Sequence, residues 1–235
     1  MDDLIVSAPP ALLTYYDDRT GEHAALTAPE LGDWAAATAA LLIEGCGLSP
    51  GDRAAVLLPP HWQTAAVLLG AWSAGFEVSY QGWATAGLQK AGSYDVTFVA
   101  GSRVTSWLEE IPRGRHQFVV DDVPDGYRSF AASVRPYLGV RPPVQVFNEG
   151  DAASPDSTTF RQWGSIAVSI AQNQGIGPGD RVLIDANETE QPVMWLLAPL
   201  SVGASVVLCA NLDRSTLDER VAEEQVTKVF VTSKS

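Results

Sequence analysis

With 235 residues, 46% apolar and 18% charged, the chain has the composition of a globular protein able to bury a substantial core, far from the disordered regime. Its 15 Lys and Arg stand against 28 Asp and Glu, a net charge of −13, so the surface repels nucleic acid and anionic lipid and neither is expected as a partner. The start, MDDLIVSAPPALL, carries acids where a secretory leader needs bases, and no apolar run reaches the roughly 18 residues of a membrane span, so the expected location is the cytoplasm.

In chain order, ALLTYYDDRTGEHAALT alternates around a Gly-bearing turn and predicts a hairpin. PELGDWAAATAALLIEG predicts a helix, ending in glycine ahead of a Pro-Gly turn that suits type II geometry. Next come a strand over 54–58, a buried apolar helix ending at Gly75, a strand over 76–80, a helix around 84–91 and a strand in DVTFVAGS. A connecting segment follows, with a helix in RVTSWLEE, a strand in HQFVVDD, a helix in YRSFAASVRPYL and the extended run GVRPPVQVF. The polar, turn-rich NEGDAASPDS is the expected hinge or loop.

The order helix, turn, strand, helix, strand, helix, strand then recurs. STTFRQWGSIAVSIAQNQG predicts a helix with Ser157 or Thr158 as its N-cap, followed by PGDR and the strand VLI. The helix VMWLLAPLSVG, the strand ASVVLC, a helix over 215–225 and the strand TKVFVTSKS complete the second series. PGDR stands at 50–53 and again at 178–181, and in each copy a glycine follows the arginine by 22 positions. Two α/β units with mainly parallel sheets are expected, residues 1–150 forming the first, with the hairpin and connecting segment, and 151–235 the second.

The stretch PALLTYYDDRTGEHAALTAPELGDWAAATAALL, with GLSPGDRAAVLLPPHWQTAAVLLGAWSAGFEV, resembles the opening of the adenylate-forming superfamily of acyl-CoA synthetases, adenylation domains and luciferases. GIGPGDRVLIDANETEQPVMWLLAPLSVGASVVL resembles the segment that follows the phosphate loop in those enzymes. More narrowly, the chain is similar to small actinobacterial proteins that correspond to the front portion of such an enzyme. The resemblance implies two related sheets packed through helices, and a chemistry joining a carboxylate to AMP over a Ser/Thr/Gly-rich loop ending in Pro-Lys-Gly.

By position that loop would fall within FNEGDAASPDSTTFRQW, where Ser157, Thr158 and Thr159 are its remnant. The glycine-rich run is missing, Asp156 brings negative charge, and no lysine occurs between Lys90 and Lys228. An amide nest needs glycines to approach phosphate and a cation to hold it. A helix N-cap is therefore expected here, and no cofactor, since ATP, AMP and CoA lack motif support. The chain stops at VFVTSKS, ahead of the family's later nucleotide motifs and C-terminal domain, and reads as a two-sheet protein. The expected function is a non-catalytic binding or interaction module. The alternatives are a partial enzyme completed by another chain, and a sensor for a nucleotide, CoA or acyl group. A homo-oligomer is left open.

Ligands of open α/β sheets bind beyond the C-terminal strand ends, which here carry LPPHW, YQGW, DANE and CAN. His61, Tyr80 and Trp83 are the candidates to line a cleft between the sheets. Trp34, Trp72, Trp163 and Trp195 are expected in the core, and Cys46 and Cys209 as buried thiols. The pairs Asp17–Asp18 and Asp121–Asp122 read as exposed turn acids without a catalytic role, and Ser7, Ser154 and Ser165 lack a nucleophile-elbow context. No His, Cys and carboxylate spacing suggests a metal site.

Overall fold

A computed structural model describes residues 10–85, 92–104, 106, 111–143 and 145–231. The chain begins with the expected hairpin, β1 (Leu13–Asp17) and β2 (Glu22–Leu26), followed by helix α1 (Ala28–Ala40), which runs on through a π-helical turn at Leu41–Gly45. Strand β3 (Arg53–Leu57), helix α2 (Trp62–Ser73), strand β4 (Glu77–Tyr80) and strand β5 (Tyr94–Ala100) complete the first series. The connecting segment holds α3 (Gly101–Val104), β6 (Gly114–Val120) and α4 (Phe130–Val134). The second series is α5 (Phe160–Asn173), β7 (Arg181–Asp185), a π-helical turn at Val193–Leu197 running into α6 (Ala198–Ser201), β8 (Ser205–Ala210), α7 (Leu217–Glu223) and β9 (Lys228–Phe230). The helix expected over 84–91 shows only a 3-10 turn at Trp83–Thr85, and its remainder, like most of RVTSWLEE, lies outside the described residues.

Two sheets result, in the orders β4-β3-β5-β6 and β2-β1-β8-β7-β9. Among the described residues every strand pairing is parallel except the hairpin's own. The hairpin, grouped with the first series by sequence order, instead extends the second sheet: β1 lies parallel to β8, with Tyr15 opposite Leu208. No local signal in the hairpin encodes that choice, because its partner strand lies almost 200 residues away.

The strands are buried on both faces, as covered parallel sheets require, with successive side chains entering different cores. Ala54 and Val56 of β3, Val182 and Ile184 of β7, and Val206 and Leu208 of β8 face one shared core with α1 and α2. The intervening Ala55 and Leu57 pack beneath Val104 and Ile111 on the outer face of their sheet. Leu183, Val207 and Cys209 pack beneath Leu217 and Val221, so α7 covers the outer face of the other. Of the four tryptophans assigned to the core, Trp195 is fully buried, Trp34 and Trp72 are partly so, and Trp163 is half-buried on a mostly exposed α5. α5 keeps only one narrow side inward, at Ala167 and Ala171, so helical spacing alone overstated its burial. Cys209 is buried, but Cys46 is only half-buried, since it follows the last turn of the α1 helix.

The two Pro-Gly turns are built alike. Asp52 N–H donates to Ser49 O at 3.0 Å and Asp180 N–H to Gly177 O at 3.2 Å, with Gly51 at φ +87° and Gly179 at φ +80°. Each aspartate side chain then accepts the amide of the turn's first residue, at 2.9 Å in Ser49 and 2.8 Å in Gly177. The glycine amides reach forward to Gly75 O and Gly203 O, which is why the spacing from turn to glycine is the same in both copies. Only glycine takes these φ values without strain. Among the described residues no helix is long and apolar enough to cross a membrane.

Candidate functional site

The C-terminal strand ends of both sheets open on a common cleft of about 810 Å³. Its walls are the hairpin turn (Asp17, Arg19, Glu22), the Pro59–His61 turn after β3, Trp83, the Gly101–Ser102 start of α3, Asp121–Asp122 after β6, and Asn187, Glu190 and Asn211 from the second series. Of the three residues expected to line such a cleft, His61 and Trp83 do so. Tyr80 points into a separate pocket of about 300 Å³ with Trp72, Trp163 and Gln191, and its hydroxyl donates to Leu58 O at 2.9 Å.

His61 is 6% exposed and caps α2: its Nδ1 accepts the Gln63 amide at 3.2 Å. That bond fixes the proton on Nε2, which donates to Glu22 Oε1 at 3.1 Å. Burial holds the imidazole below its ordinary range, partly offset by the charges of Glu22, Asp121 and Asp17. Glu22 Oε1 also accepts Trp62 Nε1–H at 3.3 Å, so one carboxylate of the hairpin ties the second sheet to the start of α2. Across the cleft Glu190 receives the amides of Trp83 at 3.2 Å and Ala84 at 3.1 Å. It lies so close to Gly82 that a Cβ there would stand 2.4 Å from its Oε2, and a side chain at 82 would make the Glu190 carboxylate shift. The Trp83 ring is backed by the Arg103 guanidinium, 4.9 Å from its centre.

Asp17 and Asp18 are not the exposed turn acids that the sequence suggests, whereas Asp121 and Asp122 are exposed. Asp17 is 8% exposed; burial pushes its carboxyl up, but bonds from Asn211 Nδ2 and the amides of Arg19 and Thr20 outweigh this and hold it below the usual range. Asp18 forms a bidentate pair with Arg220 of α7 at 2.7 and 3.0 Å. Both acids are enclosed because β1 joins the second sheet instead of standing free. Asp121 sits exposed at the cleft mouth in the left-handed region, at φ +66°, where partial desolvation by the surrounding protein raises its carboxyl above the usual range. The enclosure of Asp17 and Asp18 depends on long-range pairing that no local pattern signals.

The segment at the position of a phosphate loop is closed on itself. Asp156 Oδ1 accepts the Ser154 hydroxyl at 2.6 Å and the Thr158 amide at 3.1 Å, bonds that hold its carboxyl below the usual range. The Ser157 amide goes to Ser154 O, and Ser154 Oγ also accepts Trp163 Nε1–H at 3.0 Å. Ser157, at φ +68°, and Thr158 belong to this turn and do not cap the helix. The N-cap of α5 is Thr159, in a reciprocal box with Gln162: Oγ1 accepts the Gln162 amide at 3.2 Å and Gln162 Oε1 the Thr159 amide at 2.8 Å. The cap falls beyond Ser157 and Thr158 because the amide three residues after Thr159 carries the Gln that completes the box. A triphosphate does not fit these residues, since a carboxylate already occupies the place where donors converge.

A curated protein of Mycobacterium tuberculosis, described as a TIGR03089 family protein, is 35% identical over 226 residues, covering 93% of this chain and 90% of that protein. The chain belongs to the TIGR03089 family. No family model matches it. Among solved structures, it is similar to the N-terminal domain of FACL13 from Mycobacterium tuberculosis, at 15% identity with a TM-score of 0.67, over 93% of this chain and 58% of that one. It is also similar to the acyl-CoA synthetase of Brucella canis, at 17% identity and TM-score 0.67, over 96% of this chain and 45% of that one. The anthranilate CoA ligase AuaEII, solved with anthranoyl-AMP, matches at 18% identity and TM-score 0.68, over 97% of this chain and 48% of that one. This family member thus has the fold of the N-terminal part of acyl-CoA synthetases, and it spans roughly half the length of these solved chains.

Proposed function

We propose that this protein is a small-molecule-binding module built on an acyl-CoA synthetase scaffold, without adenylate-forming activity of its own. One observation carries the reading: in the 151–159 turn, the Ser154 hydroxyl and Thr158 amide are taken by the turn's own Asp156 carboxylate, and the Thr159 amide by Gln162. A nucleoside triphosphate would have to displace that carboxylate and then sit beside it, and like charges at contact oppose binding. The inter-sheet cleft supports the binding half of the reading: its size falls within the roughly 300–1,000 Å³ of ordinary small-molecule sites, and it lies where ligands of parallel sheets collect.

The test is carboxylate-dependent exchange of pyrophosphate into ATP by the purified full chain, across a panel of short, long and aromatic carboxylic acids. No exchange above a protein-free blank is expected, and no rise in melting temperature with ATP. Measurable exchange would remove the proposal.

A further inference from the structure

Tyr15 stands out in the cleft wall. It is 5% exposed, it packs edge-on against His61 with ring centres 4.2 Å apart, and it borders the cavity. Among the described residues its hydroxyl makes no hydrogen bond, yet no side-chain polar atom without a partner is sealed from solvent. The hydroxyl therefore opens on the cleft. A phenol that is otherwise buried and lacks a protein partner is one whose partner comes from outside.

The surrounding charge narrows what that partner is. Among the described residues, five carboxylates line the cleft, those of Asp17, Glu22, Asp121, Asp122 and Glu190, against the guanidinium of Arg19. Asp17, Glu22 and Glu190 are held by neutral donors that leave their charge uncompensated, and a carboxylate has about four lone-pair sites, so each keeps acceptor capacity. Asp121 and Asp122 have no hydrogen-bond or ion-pair partner among the described residues. An anionic ligand is repelled by such walls. A metal ion is a poor fit as well, because among the described residues no three His, Cys, Asp or Glu side chains come together as a metal site. The acids belong instead to three separate walls: the hairpin, the turn after β6 and the loop after β7.

We propose that the cleft is the binding site for a small organic polyamine, whose spaced ammonium groups meet the carboxylates of separate walls while one N–H donates to the Tyr15 hydroxyl. This deepens the binding-module reading above and rests on it. Distributed donors on a flexible chain can satisfy acids that are too dispersed for one ion, and the part-exposed Trp83 ring in the cleft wall offers an apolar surface to the methylene stem.

The experiment is calorimetric titration of the full chain with spermidine at physiological ionic strength, alongside magnesium chloride at matched ionic strength and triethylene glycol as a neutral chain. Saturable one-site binding of spermidine is expected, at least about tenfold tighter than magnesium, with no binding of the glycol. Tyr15→Phe and Asp121→Asn are each expected to weaken spermidine about tenfold, the loss of one hydrogen bond to a charged group. Should Tyr15→Phe fail to fold by circular dichroism, Asp121→Asn, at the solvent-facing mouth, carries the test alone. Unsaturable binding, magnesium binding as tight as spermidine, or unchanged affinity in the folded variants overturns the proposal. Failure to bind spermidine in a protein that also lacks exchange activity overturns this inference alone, whereas exchange activity overturns the function proposed above.

Discussion

The substitution Asp18→Asn tests how the cleft wall is held. The Asp18–Arg220 pair is bidentate, at 2.7 and 3.0 Å, and its side chains are only 14% and 13% exposed. Arg220 also lies 4.3 Å from the centre of the Tyr16 ring, so the guanidinium clamps the hairpin turn to α7. An amide in place of the carboxylate keeps the shape but leaves Arg220 with its charge uncompensated in a largely enclosed place. Breaking one side of a buried pair costs about 3–5 kcal/mol, and the residual exposure argues for the lower end, about 3 kcal/mol. For a chain of this size that is a fall of about 6–12 °C in melting temperature. The bonds from Arg220 hold the Asp18 carboxyl below its usual range. A carboxyl whose folded pKa lies below its unfolded value of about 3.9 contributes stability that is complete above that value and is lost as pH falls through the folded one. Wild type and variant should therefore differ by a constant amount from neutrality down to about pH 4 and converge below it. Urea unfolding followed by tryptophan fluorescence over this range measures the gap, with Glu149→Gln as control. Glu149 pairs with Arg161 in the open, at 76% and 71% exposure, and its loss should cost no more than about 0.5 kcal/mol. A gap for Asp18→Asn as small as the control's, or one that persists undiminished in acid, refutes the reasoning.

Three further outcomes follow from the same geometry. Gly51→Ala and Gly179→Ala should each destabilise by about 1–2 kcal/mol, because both turns hold the residue at positive φ with open space around it; unequal costs, measured by urea unfolding, would show that the turns are not equivalent. Burial places the folded pKa of His61 below its unfolded value of about 6.5, so the unfolded state binds the extra proton first and stability falls as pH drops from there through the folded value; His61→Gln should flatten that part of the profile, and an unchanged slope between about pH 7.5 and 5.5 contradicts the assignment. Burial raises the Cys209 thiol to about 11 and also raises that of half-buried Cys46, so a thiol reagent near pH 8 should label Cys46 slowly and Cys209 only on unfolding, as mass spectrometry of the labelled peptides would show.

Local chemistry alone fixed much of this protein. The apolar runs AAVLL and ASVVLC marked strands buried on both faces, Pro-Gly-Asp set the two turns, and the DDRTG turn closed the hairpin. Asp156 and the absent lysine already spoke against a phosphate seat, although the sequence did not show that Asp156 fills the turn's own donors or that the cap is Thr159. The cleft was legible only in outline: His61 and Trp83 follow strand ends and could be named, whereas Tyr15, Asp17, Glu22 and Glu190 could not. Those residues meet because β1 pairs with β8, a contact between segments almost 200 residues apart. Side-chain periodicity reports which way a residue faces within its own strand; it carries no information about which distant strand will lie alongside.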